Sequence, residues 1–455
     1  MDLDFAPLAD ISLGAFGANV SLAKRELAGE AKLMIAIKSD AYGHGARELA
    51  LAAITSGAEA LAVLDIDTGV AIRQVAPGTP VLCWLLSPHN DFREASEASL
   101  DLGISALWQI EKLRREAPGG NTRVHLKIDT GLHRNGALAK DWPELVAAAA
   151  TAQSAGDISV VGIWSHLADT SLAEDLVALE KFHHAVEVAT SASLTPELLH
   201  IAASAAASDL PQARLDLVRV GIIAYGISPF DDRSAKDLGF APVMTLRAPI
   251  ISVDEKCHTA RVGIGYGDGV LPLPPNTGWV AWKGTRLDIR EVAVDHLVIE
   301  IDPTTIPTTG DMVTLWGDPD AGSPLAEDWA SWAGTIGDEV VAAAWRMPPW
   351  LVMAASRVLD RAGTAGAMPP SSRAAAGWCW PPASWTAASC AWSPPGRSPR
   401  RTSSTHGRAT TSRPSSSTVD APASRGSISP LAAPPPAISR STGSWMSWPG
   451  WLRRS

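Results

Sequence analysis

Short apolar runs alternate with longer, alanine-rich stretches of helical character between about residues 20 and 230. This alternation predicts eight strands with helices between them, including helices over 45–57, 142–153 and 173–190. Because the strands are apolar on both faces, they indicate a parallel sheet covered by helices. The predicted strands are 33–38, 60–65, 80–85, 102–107, 123–128, 159–164, 198–203 and 218–223.

Eight strand–helix units in about 200 residues favour an α/β fold of the (β/α)8 (TIM) barrel type, which we expect to span residues 1–238. A doubly wound sheet is the alternative, but no glycine-rich phosphate loop opens its first helix. After residue 240 the pattern changes to strands separated by Gly, Pro and Asp turns. This second pattern predicts a C-terminal β domain over residues 239–350.

The remaining segment, 351–455, is rich in Ser, Ala, Pro, Arg and Trp and shows neither helical nor strand periodicity. Such a composition does not bury enough apolar surface to offset its ordering entropy, so we expect a disordered tail. The same composition is typical of GC-rich DNA translated out of frame. We therefore also consider an out-of-frame tail, which resequencing the gene would test.

Charge is distributed unevenly along the chain. The whole sequence has a formal charge of −10, of which the segment from Arg361 to Ser455 contributes +10, so residues 1–360 carry −20. An acidic body argues against nucleic acid or an anionic membrane as a partner and favours an enzyme of small metabolites. The four cysteines form no C-x-x-C pair and have no histidine-rich neighbourhood, so we expect no metal site. Without a signal-peptide pattern, we expect a cytoplasmic protein.

The clearest chemical signal is the segment LMIAIKSDAYGHG, in which Lys38 ends an apolar strand. Barrel active sites lie at that end of the strands. Partial desolvation there would lower the pKa of the lysine and free its amine as a nucleophile. Taken by itself, a lysine at a strand end is more often structural than catalytic.

The segment IKSDAYGHG resembles the cofactor-lysine signature of the alanine racemases. Further segments resemble that family in the same order, over roughly residues 10–345. The family's fold is a (β/α)8 barrel followed by a β domain, which agrees with the pattern described above. The colinear segments are HLKIDTGLHRNG (125–136), GIWSHLADT (162–170), HIAASAA (200–206), LDLVRVGIIAYG (215–226), GIGYGDGV (263–270), VDHLVIEI (294–301) and AGTIGDEV (333–340).

The resemblance implies that Lys38 carries pyridoxal 5′-phosphate and also serves as one acid/base group. It further implies that Tyr42, Ser204 and the backbone around Gly221 and Ile222 hold the cofactor phosphate. Backbone N–H groups at a glycine turn form a natural anion site, so this assignment is physically reasonable.

By the same resemblance, Arg219 faces the pyridine nitrogen and is flanked by His166 and His200. An arginine keeps its proton, so the ring nitrogen would stay unprotonated. Arg134 would bind the substrate carboxylate and be oriented by Lys127, which is carbamylated in some members of the family.

Racemisation requires proton transfer on both faces of the substrate Cα, and the resemblance assigns the second face to Tyr266. In this family the tyrosine comes from the partner subunit, which implies a homodimer with shared active sites. A phenol has a reference pKa near ~10. Positive charge from the His166–Arg219 pair would lower that pKa.

The sequence departs from the family at several positions. A tyrosine that reaches the phosphate in many members is replaced by Asp338, whose carboxylate would repel the phosphate. The substrate-binding methionine position is Val294, whose backbone N–H remains available. The resemblance fades near Ala343, so we expect the last strands of the β domain to be missing.

Several functions remain open. The leading expectation is racemisation of alanine, supplying D-alanine for peptidoglycan. A racemase of another small amino acid, such as serine, is a near alternative because Val294 and Asp338 alter the pocket. A decarboxylase or aldolase on the same barrel is another alternative. A decarboxylase would be expected to use a C-terminal cysteine, and Cys257 has no convincing context for that role. A cofactor-carrier protein and a catalytically impaired homologue are further alternatives.

Overall fold

The first half of the molecule is a closed barrel. The computed structural model describes residues 6–344 and the backbone of 352–354. The first nine strands are β1 (Leu8–Ile11), β2 (Lys32–Ala36), β3 (Ala60–Val63), β4 (Val81–Cys83), β5 (Asp101–Ile104), β6 (Thr122–Lys127), β7 (Ile158–Trp164), β8 (Leu198–His200) and β9 (Leu217–Val220).

Strands β2 to β9 form one parallel sheet in the order β8-β7-β6-β5-β4-β3-β2-β9. The two outer strands meet through hydrogen bonds from Asp216 N to Leu199 O (3.1 Å) and from Arg219 N to Ala202 O (3.2 Å). The sheet therefore closes on itself, which confirms the predicted (β/α)8 barrel and excludes the open doubly wound alternative. All eight predicted barrel strands are present within a few residues of their expected bounds.

Helices follow the barrel strands, and the three predicted ones are present as α3, α7 and α8. Side-chain oxygens of Asp65, Asp91 and Ser171 accept N–H groups of the first turns of α4, α5 and α8, as expected of N-caps. The helices are α1 (Leu13–Leu22), α2 (Lys38–Gly43), α3 (Ala46–Thr55), α4 (Ile66–Arg73), α5 (Phe92–Glu97), α6 (Leu107–Glu116), α7 (Trp142–Ser154), α8 (Leu172–Ser191) and α9 (Ser204–Asp209).

The barrel interior is divided between apolar and polar side chains. Alternate residues of each strand point inward, while the others pack against the helices. On β6, Val124 and Leu126 belong to the large core, whereas His125 and Lys127 are buried polar residues on the opposite face. The apolar interior cluster consists of Met34, Ala60, Ala62, Leu82, Leu198 and Leu217, with Trp84 against it.

The second sheet belongs to the C-terminal region, where the predicted strands are also present. Six of its strands form a closed antiparallel ring in the order β10-β11-β14-β13-β12-β15 and back to β10. Two helices, which the sequence pattern did not predict, follow β15. The elements are β10 (Met244–Asp254), β11 (Thr259–Val262), β12 (Trp279–Trp282), β13 (Thr285–Val292), β14 (Leu297–Glu300), β15 (Met312–Trp316), α10 (Ala326–Ala333), α11 (Gly337–Ala343) and β16 (Val352–Ala354).

Strand β1 lies in this second sheet, although its residues precede the barrel. It pairs antiparallel with β10, and β16 pairs with it in parallel. A strand is thus present after Ala343, contrary to the expectation that the last strands would be missing. The expected tail lies outside the described residues.

A buried asparagine ties the barrel to the segment that leads into the second sheet. Asn19 Nδ2 donates to Ala224 O (3.0 Å) and Ala241 O (2.7 Å), and its Oδ1 accepts from Ala241 N (2.9 Å). Also at the C-terminal end of the barrel, α11 packs against α2. Across residues 6–344, no helix is both long and apolar enough to cross a membrane.

Candidate active site

Lys38 follows β2 at the C-terminal end of the barrel and opens α2. Residues Ser39–Tyr42 have φ of 52–54° and ψ of 39–51°, which is one turn of left-handed helix. That conformation costs L-residues roughly 1–2 kcal/mol each, so surrounding contacts must hold it. His44 contributes, because its Nδ1 donates to Ala41 O (3.0 Å) and Tyr42 O (2.9 Å).

The environment of Lys38 favours a neutral amine. Burial lowers its pKa, and the nearby charge of Arg134 lowers it further, while Asp338 opposes both by raising it. The Nζ atom lies 5.0 Å from the centre of the Tyr42 ring. The net effect is a lysine that is more nucleophilic at neutral pH than an exposed one.

The residues expected to hold a phosphate lie together beside this lysine. Gly221 N donates to Ser204 Oγ (3.2 Å), and a Cβ atom at Gly221 would lie 2.6 Å from Tyr42 Oη. Ile222 is buried and opens a short 3-10 turn. Burial raises the pKa of Tyr42, so its hydroxyl remains a hydrogen-bond donor. The group is a cradle of N–H and O–H donors that suits an anion.

Arg219 is held in the barrel interior by four acceptors. Its NH1 donates to His200 Nδ1 (3.1 Å), and its NH2 donates to Ser165 O (2.8 Å), Ile201 O (3.0 Å) and His166 Nδ1 (3.1 Å). Burial lowers its pKa to about 9, so it remains protonated at neutral pH.

The two histidines beside Arg219 are neutral. Burial, followed by the charge of Arg219, lowers the pKa of His166 well below its ordinary value, and burial does the same for His200. The positive charge expected of the His166–Arg219 pair therefore belongs to Arg219 alone, because desolvation prevents both partners from being charged.

Lys127 and Arg134 add cationic character to the mouth of the barrel. Lys127 ends β6 and is buried, with Nζ 4.3 Å from the Trp164 ring centre. Burial and then the charges of Arg219 and Arg134 lower its pKa to about 7. Arg134 is exposed on the loop after β6, and its charge lowers the pKa of both lysines and of His166. Such a mouth suits a substrate carboxylate.

Tyr266 and Val294 form a separate surface on the C-terminal sheet. Tyr266 N donates to Ala293 O (3.0 Å), Gly267 N donates to Val294 O (2.8 Å), and the two side chains are 49% and 53% exposed. Among the described residues, no hydrogen bond, ion pair or ring contact joins Tyr266 to Lys38. Within the described residues of a single chain, the two expected acid/base groups are therefore not in direct contact.

Two residues that the sequence analysis did not single out adjoin the site. Asp101 and His125 are buried and hydrogen-bonded to one another, and His125 also contacts His200. In the sequence, the signal for these residues was that His125 and Lys127 alternate with the apolar Val124 and Leu126 on β6. Cys257, by contrast, lies in the exposed turn between β10 and β11, where a hydrogen bond with Asp254 raises its pKa. An activated cysteine is therefore not found there.

A nucleophilic lysine beside an anion cradle, at the C-terminal end of a (β/α)8 barrel, defines an enzyme that attaches a phosphate-bearing cofactor through a lysine. The alanine racemase N-terminal domain model matches residues 11–229, and the alanine racemase C-terminal domain model matches residues 248–349. The chain belongs to the alanine racemase family, whose members are pyridoxal-phosphate-dependent isomerases.

Individual relatives agree with the domain matches. The alanine racemase of Thermobifida fusca is 37% identical over 377 residues, covering 77% of this chain and 98% of the relative. The alanine racemase of Streptomyces coelicolor is 38% identical over 362 residues, covering 73% and 92%. The crystal structure of alanine racemase from D-cycloserine-producing Streptomyces lavendulae superposes with a TM-score of 0.72 at 33% identity, covering 77% and 97%.

The site fits the cofactor of the family. The cradle at Gly221 has no room for a Cβ atom beside Tyr42 Oη, and its donors match a phosphate group. The lowered pKa of Lys38 suits covalent attachment of an aldehyde, and Arg219 offers a fixed cation further inside the barrel.

Proposed function

We propose that this chain interconverts L-alanine and D-alanine, with Lys38 and Tyr266 as the acid/base groups on opposite faces of the substrate. The observation that carries the proposal is the position of Lys38, whose Nζ lies 5.0 Å from the ring centre of Tyr42, beside the anion cradle of Gly221 and Ser204. Pyridoxal phosphate, when bound, supplies the electron sink that makes the Cα proton acidic. Tyr42, Ser204, Gly221 and Lys38 would hold it.

The protein groups have distinct tasks in this reaction. Arg134 orients the substrate carboxylate, and the backbone N–H of Val294 supports it from the C-terminal domain. In one direction Lys38 Nζ accepts the Cα proton from one face while Tyr266 Oη donates a proton to the other. The reverse direction exchanges these roles. After one conversion Lys38 holds the added proton and Tyr266 lacks one, so solvent must take up the first and return the second before the same conversion repeats. Arg219 keeps its proton throughout, since its pKa is about 9.

We propose a homodimer in which Tyr266 and Val294 complete the site of the partner subunit. Tyr266 is half exposed in a single chain, which is unusual for a group that must reach a desolvated site. Large apolar side chains are also exposed at the mouth of the barrel, on loops and helices that follow β4, β6 and β7. These side chains are Leu85, Leu138, Leu172, Leu176 and Val177.

A deuterium experiment tests the reaction. Purified protein with pyridoxal phosphate and L-alanine in D2O should yield D-alanine carrying deuterium at Cα, measured by chiral chromatography and NMR. Lys38→Ala and Tyr266→Phe should each abolish D-alanine formation. Exchange of deuterium without D-alanine would show that only the acid/base group facing the Cα proton of L-alanine works. If neither D-alanine nor deuterium exchange is detected while the cofactor is bound, alanine racemisation is contradicted.

Mixing the two inactive variants tests the shared site. A hybrid dimer of Lys38→Ala and Tyr266→Phe chains has one site with both groups intact and one with neither. Random exchange at equal amounts should therefore restore about a quarter of the wild-type activity. Failure of the mixture to recover activity, once subunit exchange is verified by mass, would contradict a site built from two subunits.

One observation favours serine as a second substrate. Asp338 lies near Lys38 and offers a hydrogen-bonding group that an alanine side chain does not use. Racemisation of serine should therefore be compared with that of alanine by kcat/KM. We place the enzyme in the cytoplasm, where D-alanine would serve peptidoglycan synthesis.

A further inference from the structure

A chain of buried hydrogen bonds runs from Arg219 across the barrel interior. Arg219 NH1 contacts His200 Nδ1 (3.1 Å), His200 Nε2 contacts His125 Nδ1 (2.9 Å), and His125 Nε2 contacts Asp101 Oδ2 (3.2 Å). Both imidazoles are fully buried, and the Asp101 carboxylate is nearly so. Arg123 closes the far end, since its Nε donates to Asp101 Oδ1 (2.9 Å).

Only one arrangement of protons satisfies every contact in this chain. Arg219 has only donors, so His200 Nδ1 must accept, and the proton of neutral His200 is on Nε2. That proton is donated to His125 Nδ1, so His125 carries its own proton on Nε2. The His125 proton is then donated to the carboxylate of Asp101. Each hydrogen bond therefore points in the same direction, from Arg219 toward Asp101.

We propose that Asp101 and His125 are positioning residues that fix the proton arrangement of His200 and thereby hold Arg219 in place. The reversed arrangement puts protons on Nδ1 of both histidines. In that state an N–H of His200 would face an N–H of Arg219, and the guanidinium would lose an acceptor. Asp101 disfavours the reversal, because His125 Nε2 would then face the carboxylate without a proton to donate.

We call the hydrogen-bonded series Arg219–His200–His125–Asp101 the relay. The residues packed around it restrict its movement. Gly162 lies beside His125 on the neighbouring strand, and a Cβ atom at Gly162 would overlap His125 Nδ1. On the other side, the Trp164 ring stacks on His200 with 5.6 Å between centres and 7° between planes. A glycine and a tryptophan two residues apart on β7 thus set the contact between the two imidazoles.

The charges at the two ends also support the relay. Burial alone would raise the pKa of Asp101, but hydrogen bonds from His125 and Arg123 hold it below its ordinary value. Asp101 is therefore an anion, and Arg219 is a cation at the opposite end. Two neutral histidines separate them, so the relay is polarised along its length.

Proton positions can be measured directly in the cofactor-free full chain, independently of its proposed activity. In ¹⁵N-histidine NMR spectra, His125→Asn and His200→Asn variants assign the two residues. We expect both wild-type histidines to be protonated at Nε2 and unprotonated at Nδ1. Asp101→Asn keeps an acceptor and should preserve this state, whereas Asp101→Leu should give mixed or reversed tautomers. A proton on Nδ1 of wild-type His200, or unchanged tautomers in Asp101→Leu, would overturn the proposal.

A kinetic comparison tests the link to Arg219 and rests on the proposed racemase function. In holoenzyme, Asp101→Leu should lower kcat on the order of tenfold, as loss of an outer-shell partner does, with a smaller change in KM. Asp101→Asn should recover most of the loss. Asp157→Leu is the matched control, because Asp157 is also buried and ion-paired, with Arg114, yet does not contact the relay. Equal losses in both leucine variants would overturn the positioning role, and an inactive wild type would contradict the racemase function alone.

Discussion

Asp338 faces Lys38 where α11 of the C-terminal region packs against α2 of the barrel. Each changes the pKa of the other: Asp338 raises that of Lys38, and Lys38 lowers that of Asp338, in both cases against the effect of burial. The same carboxylate also raises the pKa of Tyr42. One acid therefore acts on both the reactive amine and the phosphate cradle.

Asp338→Asn should strengthen binding of pyridoxal phosphate. It removes an anion beside the phosphate, and it lowers the pKa of Lys38, so more of the amine is neutral at a given pH. The expected gain in affinity at neutral pH is on the order of tenfold, or ~1.4 kcal/mol. Because the Asp338 pKa is raised, the gain should vanish in acid, where the wild-type carboxyl is protonated too. The affinity is measured by titrating each variant with pyridoxal phosphate and following absorbance at a series of pH values.

The control for this prediction is Glu339→Gln, which removes the same charge from the neighbouring exposed position. It should leave cofactor affinity within about twofold, since an exposed charge is screened by solvent. An equal gain in both variants would mean that net charge, and not the position of Asp338, controls affinity.

Gly221→Ala should weaken cofactor binding while leaving the protein folded. The added Cβ would meet Tyr42 Oη at 2.6 Å, so the tyrosine or the turn must move and the cradle loses its shape. A loss of affinity on the order of tenfold or more is expected, measured by equilibrium dialysis. Gly14→Ala is the matched control, because its Cβ would contact nothing within 4 Å in α1. That variant should bind normally and be slightly more stable.

Lys127 should react with carbon dioxide near neutral pH. Carbamylation requires a neutral amine, and the pKa of Lys127 is lowered to about 7, so the reactive fraction rises as pH increases through that value. The charges of Arg219 and Arg134 would then stabilise the anionic product. A ¹³C NMR signal from labelled bicarbonate should appear between pH 6 and 8. Lys127→Gln should remove it, and the exposed-site variant Lys140→Gln should keep it.

Asn19→Leu should destabilise the chain by about 3 kcal/mol, since it leaves the Ala241 N–H and the carbonyl groups of Ala224 and Ala241 without their partner. Urea denaturation at fixed protein concentration measures the change. The control is Ser21→Ala, on the same helix as Asn19. It removes an exposed hydrogen bond from Ser21 to Ser56 O and should cost under ~1 kcal/mol. Similar losses in the two variants would contradict the bridging role of Asn19.

The sequence predicted the barrel strands well because they are buried on both faces and read as continuous apolar runs. It missed β1, since four residues are too few to show a pattern. The left-handed turn of Ser39–Tyr42 was also missed, because none of these residues is a glycine and the conformation is imposed by tertiary contacts.

Within the site, the sequence identified residues that the fold brings together, including Lys38, Tyr42, Ser204 and Gly221. The relay to Asp101 was not predictable from local pattern, because its partners are 24 and 75 residues apart along the chain. Long-range hydrogen bonds of this kind depend on strand register, and one glycine on β7 decides whether the two rings can meet.

Strand β1 leaves the ribosome before the barrel strands, yet its partner β10 follows more than two hundred residues later. At ~5–20 residues per second, that interval lasts roughly 10–50 s, long enough for the barrel to form without it. Strand β1 can therefore pair with β10 only after the barrel strands have been synthesised. A fusion partner attached directly before β1 would lie beside the C-terminal sheet and would compete with the pairing of β1 with β10.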